Sequence, residues 1–297
     1  MKSLPPDVAD RILRSNSEVH RVEAEFYDWI HPEVFGSYEQ RQTNHDLDII
    51  VSHLPKGRSI RVMDVGCGTG NITLKYLERG FDVRAVDLSP EMLGQLRAKI
   101  PAAKLSKVNL AEGNAEAAVS DPSTKGFYDI VSFSSVLHHL PDYMTVLSRA
   151  LQQLRPGGFL WVCHEPLAIA TENAEAHAVF AGYIIKQADN LYILFRRALV
   201  YAWFAAKHCR KPTRIDYSWS DYHARTGIAA STILKALESA GARVLLYESY
   251  NSRFSSILAA CDHMLSVLPH QNFRFIVQAA KVDALSQENE ARATLSA

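Results

Sequence analysis

Apolar residues follow two periods along this chain. From Ile60 onward, short runs rich in β-branched and aromatic residues alternate with segments whose apolar positions recur every three to four residues. The runs predict strands at Ile60–Val65, Asp82–Asp87, Lys104–Leu110, Tyr128–Ser134, Phe159–Cys163, Arg243–Tyr250 and Phe273–Ala280. Helices are expected at Asn71–Arg79, after Ser89, at Tyr143–Gln153 and at Ile228–Ala240, with a short one near Ser255–Leu268. Ser89 is a suitable N-cap and Pro90 suits a first helical position. Strands alternating with helices indicate an α/β fold with a doubly wound, mostly parallel seven-stranded sheet.

The flanks differ. Asp7–Leu54 reads as polar and helical, with Leu47, Ile50, Val51 and Leu54 spaced to pack on the sheet before Pro55-Lys56-Gly57 breaks the helix. The alternation stops at Glu165-Pro166. Leu167–Arg225 is helical and aromatic, an insertion placed to cap the strand ends. The expected division is an N-terminal helical segment (1–54), a Rossmann-like core (55–166), a helical cap (167–225), the rest of the core (226–282) and a disordered tail (283–297).

A glycine-rich turn follows the first strand: Asp64-Val65-Gly66-Cys67-Gly68-Thr69-Gly70-Asn71. Glycines let backbone turn tightly and lie close to a ligand. Asp87 ends the second strand twenty-one residues after Gly66, near the spacing of a ribose-binding acid. The loop reads G-x-G-x-G rather than the dinucleotide G-x-G-x-x-G, and no lysine follows as a Walker loop requires. Asp64 beside the loop suits a cofactor with a cationic end and repels pyrophosphate.

Composition narrows the classes. Of 297 residues, 47% are hydrophobic and 22% charged, as in an ordinary globular chain. Lysine plus arginine equals aspartate plus glutamate at 32 each, so there is no basic excess for nucleic acid. Cys67, Cys163, Cys209 and Cys261 are scattered, which indicates neither a zinc site nor a disulfide framework, and no metal is expected. Met1–Arg14 is too charged for a signal peptide, so a cytoplasmic enzyme is expected. Charges break every apolar run of the insertion short of a membrane span. The basic residues Lys207, Arg210, Lys211 and Arg214 leave peripheral membrane contact open. Oligomeric state is not legible.

The loop resembles the first motif of class I S-adenosylmethionine-dependent methyltransferases, and four further segments match in order. Val86-Asp87-Leu88-Ser89-Pro90-Glu91-Met92 resembles the second motif. Glu112-Gly113-Asn114-Ala115 resembles the third, with Asn114 where the family has an acid. Phe127–Leu140 resembles the fourth, and Leu154-Arg155-Pro156-Gly157-Gly158 the turn before strand five. The resemblance is close over Ile60–Cys163 and holds in outline over Ile228–Ala280. It implies a Rossmann-like methyltransferase fold and S-adenosyl-L-methionine as cofactor. The cofactor would be held by Asp64, Gly66, Cys67, Gly68, Gly70, Asn71, Asp87, Leu88, Met92, Asn114, Ala115 and Ser134. Asp87 would take both ribose hydroxyls, Leu88 and Met92 would flank the adenine, and Ser134 would border the methionine part. Plainer readings stand beside these: a loop cap for Asp64, packing for Cys67, a turn asparagine for Asn114.

Methyl transfer is an in-line displacement that asks the protein for alignment, desolvation and sometimes a base. His139 follows strand four, and His164 and Glu165 close strand five, where ligands bind in open α/β sheets. These three are the catalytic candidates. His138 and His139 cannot both face one cleft. His139 and His164 resemble active-site positions of the cyclopropane-synthase branch; the alternative for His139 is no chemical duty. Tyr222 and His223 are placed to close an acceptor pocket, and Tyr27 and Tyr38 to lid it or simply to pack. An apolar cap suits a small acceptor with a large apolar body, such as a quinone, polyketide, terpenoid or acyl chain. The competing functions are other chemistry on the same cofactor and a non-catalytic binding module. RNA methylation is disfavoured by the zero net charge and by the lack of an Asn-Pro-Pro-Tyr motif after strand four.

Overall fold

The computed structural model describes residues 5–168, 194–208, 217–223, 227–250 and 272–280. Strands β1 (Arg61–Val65), β2 (Asp82–Asp87), β3 (Val108–Glu112), β4 (Tyr128–Ser134), β5 (Leu154–Pro166), β6 (Arg243–Tyr250) and β7 (Asn272–Gln278) form one sheet in the order β3-β2-β1-β4-β5-β7-β6. β1 to β5 pair in parallel, and β7 runs antiparallel to both β5 and β6. The strand order reverses direction at β1, which opens a crevice beyond the carboxyl ends of β1 and β4.

Helices cover both faces. On one side α4 (Ser37–His53), α5 (Asn71–Glu78) and α6 (Pro90–Lys99) bury Leu47, Ile50, Tyr76 and Leu96 against Val62, Ile130 and Trp161. On the other, α7 (Ala115–Ser120), α8 (Tyr143–Gln153) and α11 (Ala230–Ser239) bury Val119, Val146, Leu147 and Ile233 against Val65, Val131 and Leu160. Burial on both faces explains why β1 and β4 are apolar at neighbouring positions rather than strictly alternating.

Strand three begins later than its composition predicts. Ala102–Lys107 is a 3-10 helix started by Pro101, and its one large apolar side chain, Leu105, is exposed. The β pattern starts only at Val108. On α4, Leu47 and Ile50 are buried as expected, whereas Val51 is exposed. α11 starts two residues late because Ile228 forms a parallel bridge with Leu167.

The N-terminal segment contains α1 (Pro6–Glu23), α2 (Tyr27–Ile30) and α3 (Pro32–Phe35) ahead of α4. α1 crosses the open strand ends. Ile12, Val19 and Val22 are buried along it, and Asn16 and Glu23 are buried in the same stripe. Side chains tie this segment to the loop after β1. Thr69 Oγ1 donates to Asp28 at 2.5 Å, Lys99 Nζ to the other Asp28 oxygen at 2.6 Å, and Gln40 Nε2 to Asn71 Oδ1 at 2.8 Å.

From the expected insertion, α9 (194–208) and α10 (Tyr217–Ser220) are described. α9 buries Val200 and Phe204 and sets Trp203 edge-on to Phe26, with Arg197 paired to Glu23 at 2.9 Å. α10 packs on α1, where Ser220 Oγ donates to Asn16 Oδ1 at 2.9 Å and Arg11 lies over Trp219. α9 and α10 therefore pack on the N-terminal helices. Residues 169–193, 209–216 and 224–226 of the insertion lie outside the described residues, with Arg210, Lys211 and Arg214 among them. So do the helix expected near Ser255–Leu268 and the tail at 283–297. Among the described residues no helix is long and apolar enough to cross a membrane.

Candidate active site

A cleft of about 890 Å³, counting its mouth open to solvent, lies over the carboxyl ends of β1, β2 and β4. Its floor is the β1–α5 loop. Gly66, Cys67 and Gly68 line it with Asn71, and the Gly66 and Cys67 amides donate to Val86 O, which folds the loop back on β2. Gly68 has φ +51°, and a Cβ there would meet nothing within 4 Å. Packing does not demand glycine at this position; its φ favours one, and backbone without a side chain lets a ligand lie close. Gly70, expected to touch the cofactor, does not line the cleft. It has φ +100°, and a Cβ would come within 2.3 Å of Leu96 Cδ1, so it serves the packing of α5 on α6.

Two buried acids sit in the cleft wall. Asp87 accepts the Gly68 amide at 2.7 Å and the Ser89 amide at 2.9 Å, one on each oxygen. Burial raises its pKa against the nearby His20 and the amides. Asp64 accepts hydroxyls from Thr73 (2.6 Å) and Ser132 (2.8 Å), and burial pushes its pKa up to about 6. Neither lysine nor arginine is among the described residues that line the cleft. Two desolvated carboxylates without a fixed cation suit a ligand that brings positive charge, as a sulfonium and an ammonium do. A carboxylate oxygen can accept more than one hydrogen bond, which lets Asp87 take a ligand hydroxyl as well. These residues fit the cofactor that the sequence resemblance implies.

Leu88, Met92, Asn114, Ala115 and Ser134 also line the cleft. Asn114 caps α7 with Oδ1, which accepts from Ala117 N at 2.7 Å, so its NH₂ group is the part left to face a ligand. The Cys67 thiol is driven well up by burial, as expected of a packing cysteine.

The roof comes from α1 and the residues after it: Leu13, Asn16, His20, Tyr27, Val34 and Phe35. His139 enters from the turn after β4. Its Nδ1 lies 2.7 Å from Ser220 O, and since a carbonyl only accepts, this nitrogen carries the proton and Nε2 is left as an acceptor. Burial, and then His138, hold His139 well below its usual pKa, so the ring is neutral. His20 meets it edge-on at 5.3 Å.

The other predicted residues stand elsewhere. Glu165 is fully buried, and all of its bonds go to the turn after β4. It accepts the amides of Val136 (2.6 Å), Leu137 (2.8 Å) and His138 (3.2 Å), and faces His138 Nδ1 at 2.9 Å. It therefore shapes the turn that carries His139 and does not line the cleft. His138 points toward Glu165, so only one of the two adjacent histidines reaches the cleft. His164 also misses the cleft: its Nδ1 lies 2.7 Å from Ser135 Oγ. His164 and Ser135 both have φ +56°, a left-handed conformation rare in side-chain-bearing residues, side by side at the ends of β5 and β4. Tyr27 lines the cleft; Tyr38, Tyr222 and His223 do not. Tyr222 stacks on Trp219, and the His223 amide donates to His138 O.

His138, His139 and Asp221 bring possible metal-ligand atoms within 4.8 Å of one another. The Nδ1 atoms of both rings are already committed, to Glu165 and to Ser220 O, which accounts for the rings without an ion.

Asn16 and His20 escaped the sequence reading. Their signal is a polar residue in register with an apolar stripe: Asn16 falls between Ile12 and Val19 on the buried face of α1.

Comparison with known proteins gives a consistent picture. Residues 63–162 match a family model described as a methyltransferase domain. The chain is 26% identical over 217 residues to a demethylmenaquinone methyltransferase of Bacillus velezensis, which covers 72% of this chain and 83% of that one. It is 34% identical over 102 residues to a magnesium-protoporphyrin O-methyltransferase of Rhodobacter capsulatus, 34% of this chain and 44% of that one. Among solved structures, the [4+2]-cyclase SpnF aligns with a TM-score of 0.50 at 16% identity, over 82% of this chain and 81% of that one, a likeness of fold. The chain belongs to the class I S-adenosylmethionine-dependent methyltransferases and is an enzyme of that family, with S-adenosyl-L-methionine as its methyl donor.

Proposed function

We propose that this enzyme methylates a small, largely apolar acceptor seated beneath α1, with His139 at the polar end of the cleft. The observation that carries this reading is the make-up of the roof. Leu13, Val34 and Phe35 give apolar walls, joined by Leu140 from the turn after β4, and Asn16, His20 and His139 add the polar groups. Apolar walls with a few placed polar atoms are how pockets orient a small molecule. The names of the relatives, a demethylmenaquinone and a magnesium-protoporphyrin methyltransferase, agree with acceptors that have bulky apolar ring systems.

In this reading Asp87 takes the ribose hydroxyls, and the backbone of Gly66–Gly68 lies along the cofactor. Leu88 and Met92 flank the adenine, and the Asn114 amide donates to its edge. Asp64 balances the cationic end, while Cys67, Asn71, Ala115 and Ser134 form the wall, with Tyr27 above. When bound, S-adenosyl-L-methionine supplies an electrophilic methyl group and a neutral thioether leaving group. His139 Nε2 holds an acceptor hydroxyl or amine by its proton, and Glu165 keeps the turn beneath His139 in place.

The test is incubation with deuteriomethyl-labelled S-adenosyl-L-methionine and a panel containing a naphthoquinol, an alkylphenol and a hydrophilic amine, read by mass spectrometry. Labelled quinol or phenol supports the reading; label in the hydrophilic amine alone overturns it. His139→Ala should lower turnover by about 10²-fold, with S-adenosylhomocysteine affinity retained.

A further inference from the structure

α1 brings a titratable ring into the cleft with no motif to announce it. Leu13, Asn16 and His20 lie on one face of the helix, and all three line the cleft. Of the lining residues, His20 and His139 are the only side chains that offer a basic nitrogen, among the described residues. His20 is set between two parts of the site that sequence places far apart. Its ring is edge-on to His139 at 5.3 Å and to Tyr27 at 5.8 Å, and it stands in the field of Asp87 at the end of β2. Burial depresses its pKa and Asp87 opposes this, so the ring is within electrostatic reach of the acid assigned to the ribose.

The helix that carries His20 is held to the rest of the site by side chains. Asn16 Nδ2 donates to His139 O at 3.0 Å, and the same residue accepts from Ser220. Beyond α1, Asp28 and Gln40 hold the glycine loop from above. The Asp28 and Gln40 contacts join roof to floor side chain to side chain, whereas Asn16 reaches the backbone of the turn after β4. An imidazole set edge-on to two rings, inside a cleft that also holds a buried carboxylate, is more than an anchor for packing. It can hydrogen-bond a ligand with one nitrogen while the other faces protein.

We propose that His20 is a ligand-contacting residue of this cleft, through which α1 closes over bound cofactor between Asp87 and His139. The proposal rests on the cofactor reading of the cleft and adds a residue and an element to it. It gives a use to a titratable ring that shares a face of α1 with Leu13 and Asn16. It also assigns α1 to cofactor affinity rather than to the acceptor alone.

The test uses the full chain and S-adenosylhomocysteine as the probe. His20→Phe keeps an aromatic ring against Tyr27 and His139 and removes both nitrogens. Losing one hydrogen bond to a ligand should weaken binding by about tenfold in titration calorimetry. Hydrogen exchange of the wild type should show the α1 amides slowed by S-adenosylhomocysteine, and this slowing should shrink in the variant. A packing role would instead lower the melting temperature of the free protein and leave the response of α1 to ligand unchanged. If His20→Phe does not fold, His20→Gln is read on the same two scales, with affinity expected between wild type and the tenfold loss. Affinity within about twofold of wild type, with α1 equally protected, overturns the proposal. A wild type that fails to bind S-adenosylhomocysteine sinks the cleft reading itself, whereas normal wild-type binding with an indifferent His20 variant sinks only this inference.

Discussion

The floor and the roof of the cleft are built by opposite means. The floor is local: residues 64–71 and 87–89 come from two strand ends, and its key contacts run through backbone, with the Gly68 and Ser89 amides on Asp87. The roof is remote: α1 to α4 reach the same place through Asp28, Gln40, Asn16 and His20, side chain by side chain. Backbone contacts require special φ angles and therefore particular residues at fixed spacing. Side-chain contacts can be made by many residue types from many positions. The floor is under a geometric constraint that shows in sequence; the roof is under a packing constraint that hardly does.

If that contrast is right, the floor should be the less forgiving. Gly68→Val should bring S-adenosylhomocysteine binding down by at least about 100-fold, below detection in most titrations. The φ angle of +51° is hostile to a β-branched residue, and a side chain on this cleft-lining loop would hinder close approach of a ligand to the backbone. Because no protein atom lies within 4 Å of that Cβ, the melting curve should stay cooperative. Retained binding would show that the ligand does not lie on this loop.

The turn after β4 joins the two regions, and Glu165 is its clamp. Glu165→Gln replaces one acceptor oxygen with an NH₂ group facing amide donors. It should cost about 1.5–3 kcal/mol of stability in urea unfolding, the worth of hydrogen bonds to a charged group. Turnover should fall with it. Unchanged stability with lost turnover would return Glu165 to a direct chemical role.

Asp64 sharpens the electrostatic side of the floor. With its pKa raised to about 6 by burial, it is charged above that pH and neutral below it. If only the carboxylate form attracts the cationic ligand, affinity for S-adenosyl-L-methionine should be flat above pH 7 and fall about tenfold by pH 5. Calorimetry across this range checks it. Asp64→Asn should bind weakly at every pH, and a pH profile identical to wild type would contradict the assignment.

The smallest effect belongs to the roof. His31 contacts Glu33 at 2.7 Å and Glu23 at 3.4 Å; burial opposes its charge, but the two acids win and lift its pKa to about 9. A folded pKa above the unfolded value near 6.5 means the stabilisation is complete below pH 6.5 and is lost as pH rises toward 9. Between pH 7 and 8 the loss should be about 1 kcal/mol. Comparing urea unfolding of wild type and His31→Gln at these two pH values isolates it. An equal slope in both proteins would remove His31 from the account.

The same contrast explains what the chain made legible. The sheet, its glycine turn and Asp87 are legible because β1, β2 and β4 are short segments rich in β-branched and aromatic residues that end at polar residues or glycine. Ser89 and Pro90 announced α6 by capping chemistry, and the Ser89 side chain does accept the Met92 amide. Strand three was misplaced because Lys104–Lys107 is polar and its helix turns on Pro101. Gly70 was given to the cofactor because the motif carries it, yet its reason lies in Leu96, a packing contact that no motif contains. Glu165 and His164 stand at a strand end as expected but outside the cleft, since strand position fixes a Cα and not the direction of a side chain, least of all at His164 with its left-handed φ. His20 and Asn16 could not be found from spacing to the loop, because tertiary packing alone brings α1 there.

The central claim is that the cleft over the glycine loop holds S-adenosyl-L-methionine through Asp87. Titration calorimetry of S-adenosylhomocysteine into wild type and Asp87→Ala tests it most directly, with Asp87→Asn as the milder variant that keeps one acceptor for the Gly68 or Ser89 amide. The account predicts wild-type binding with a micromolar dissociation constant, weakened at least about tenfold by Asp87→Ala and less by Asp87→Asn. Wild-type affinity in a folded Asp87→Ala protein would contradict it.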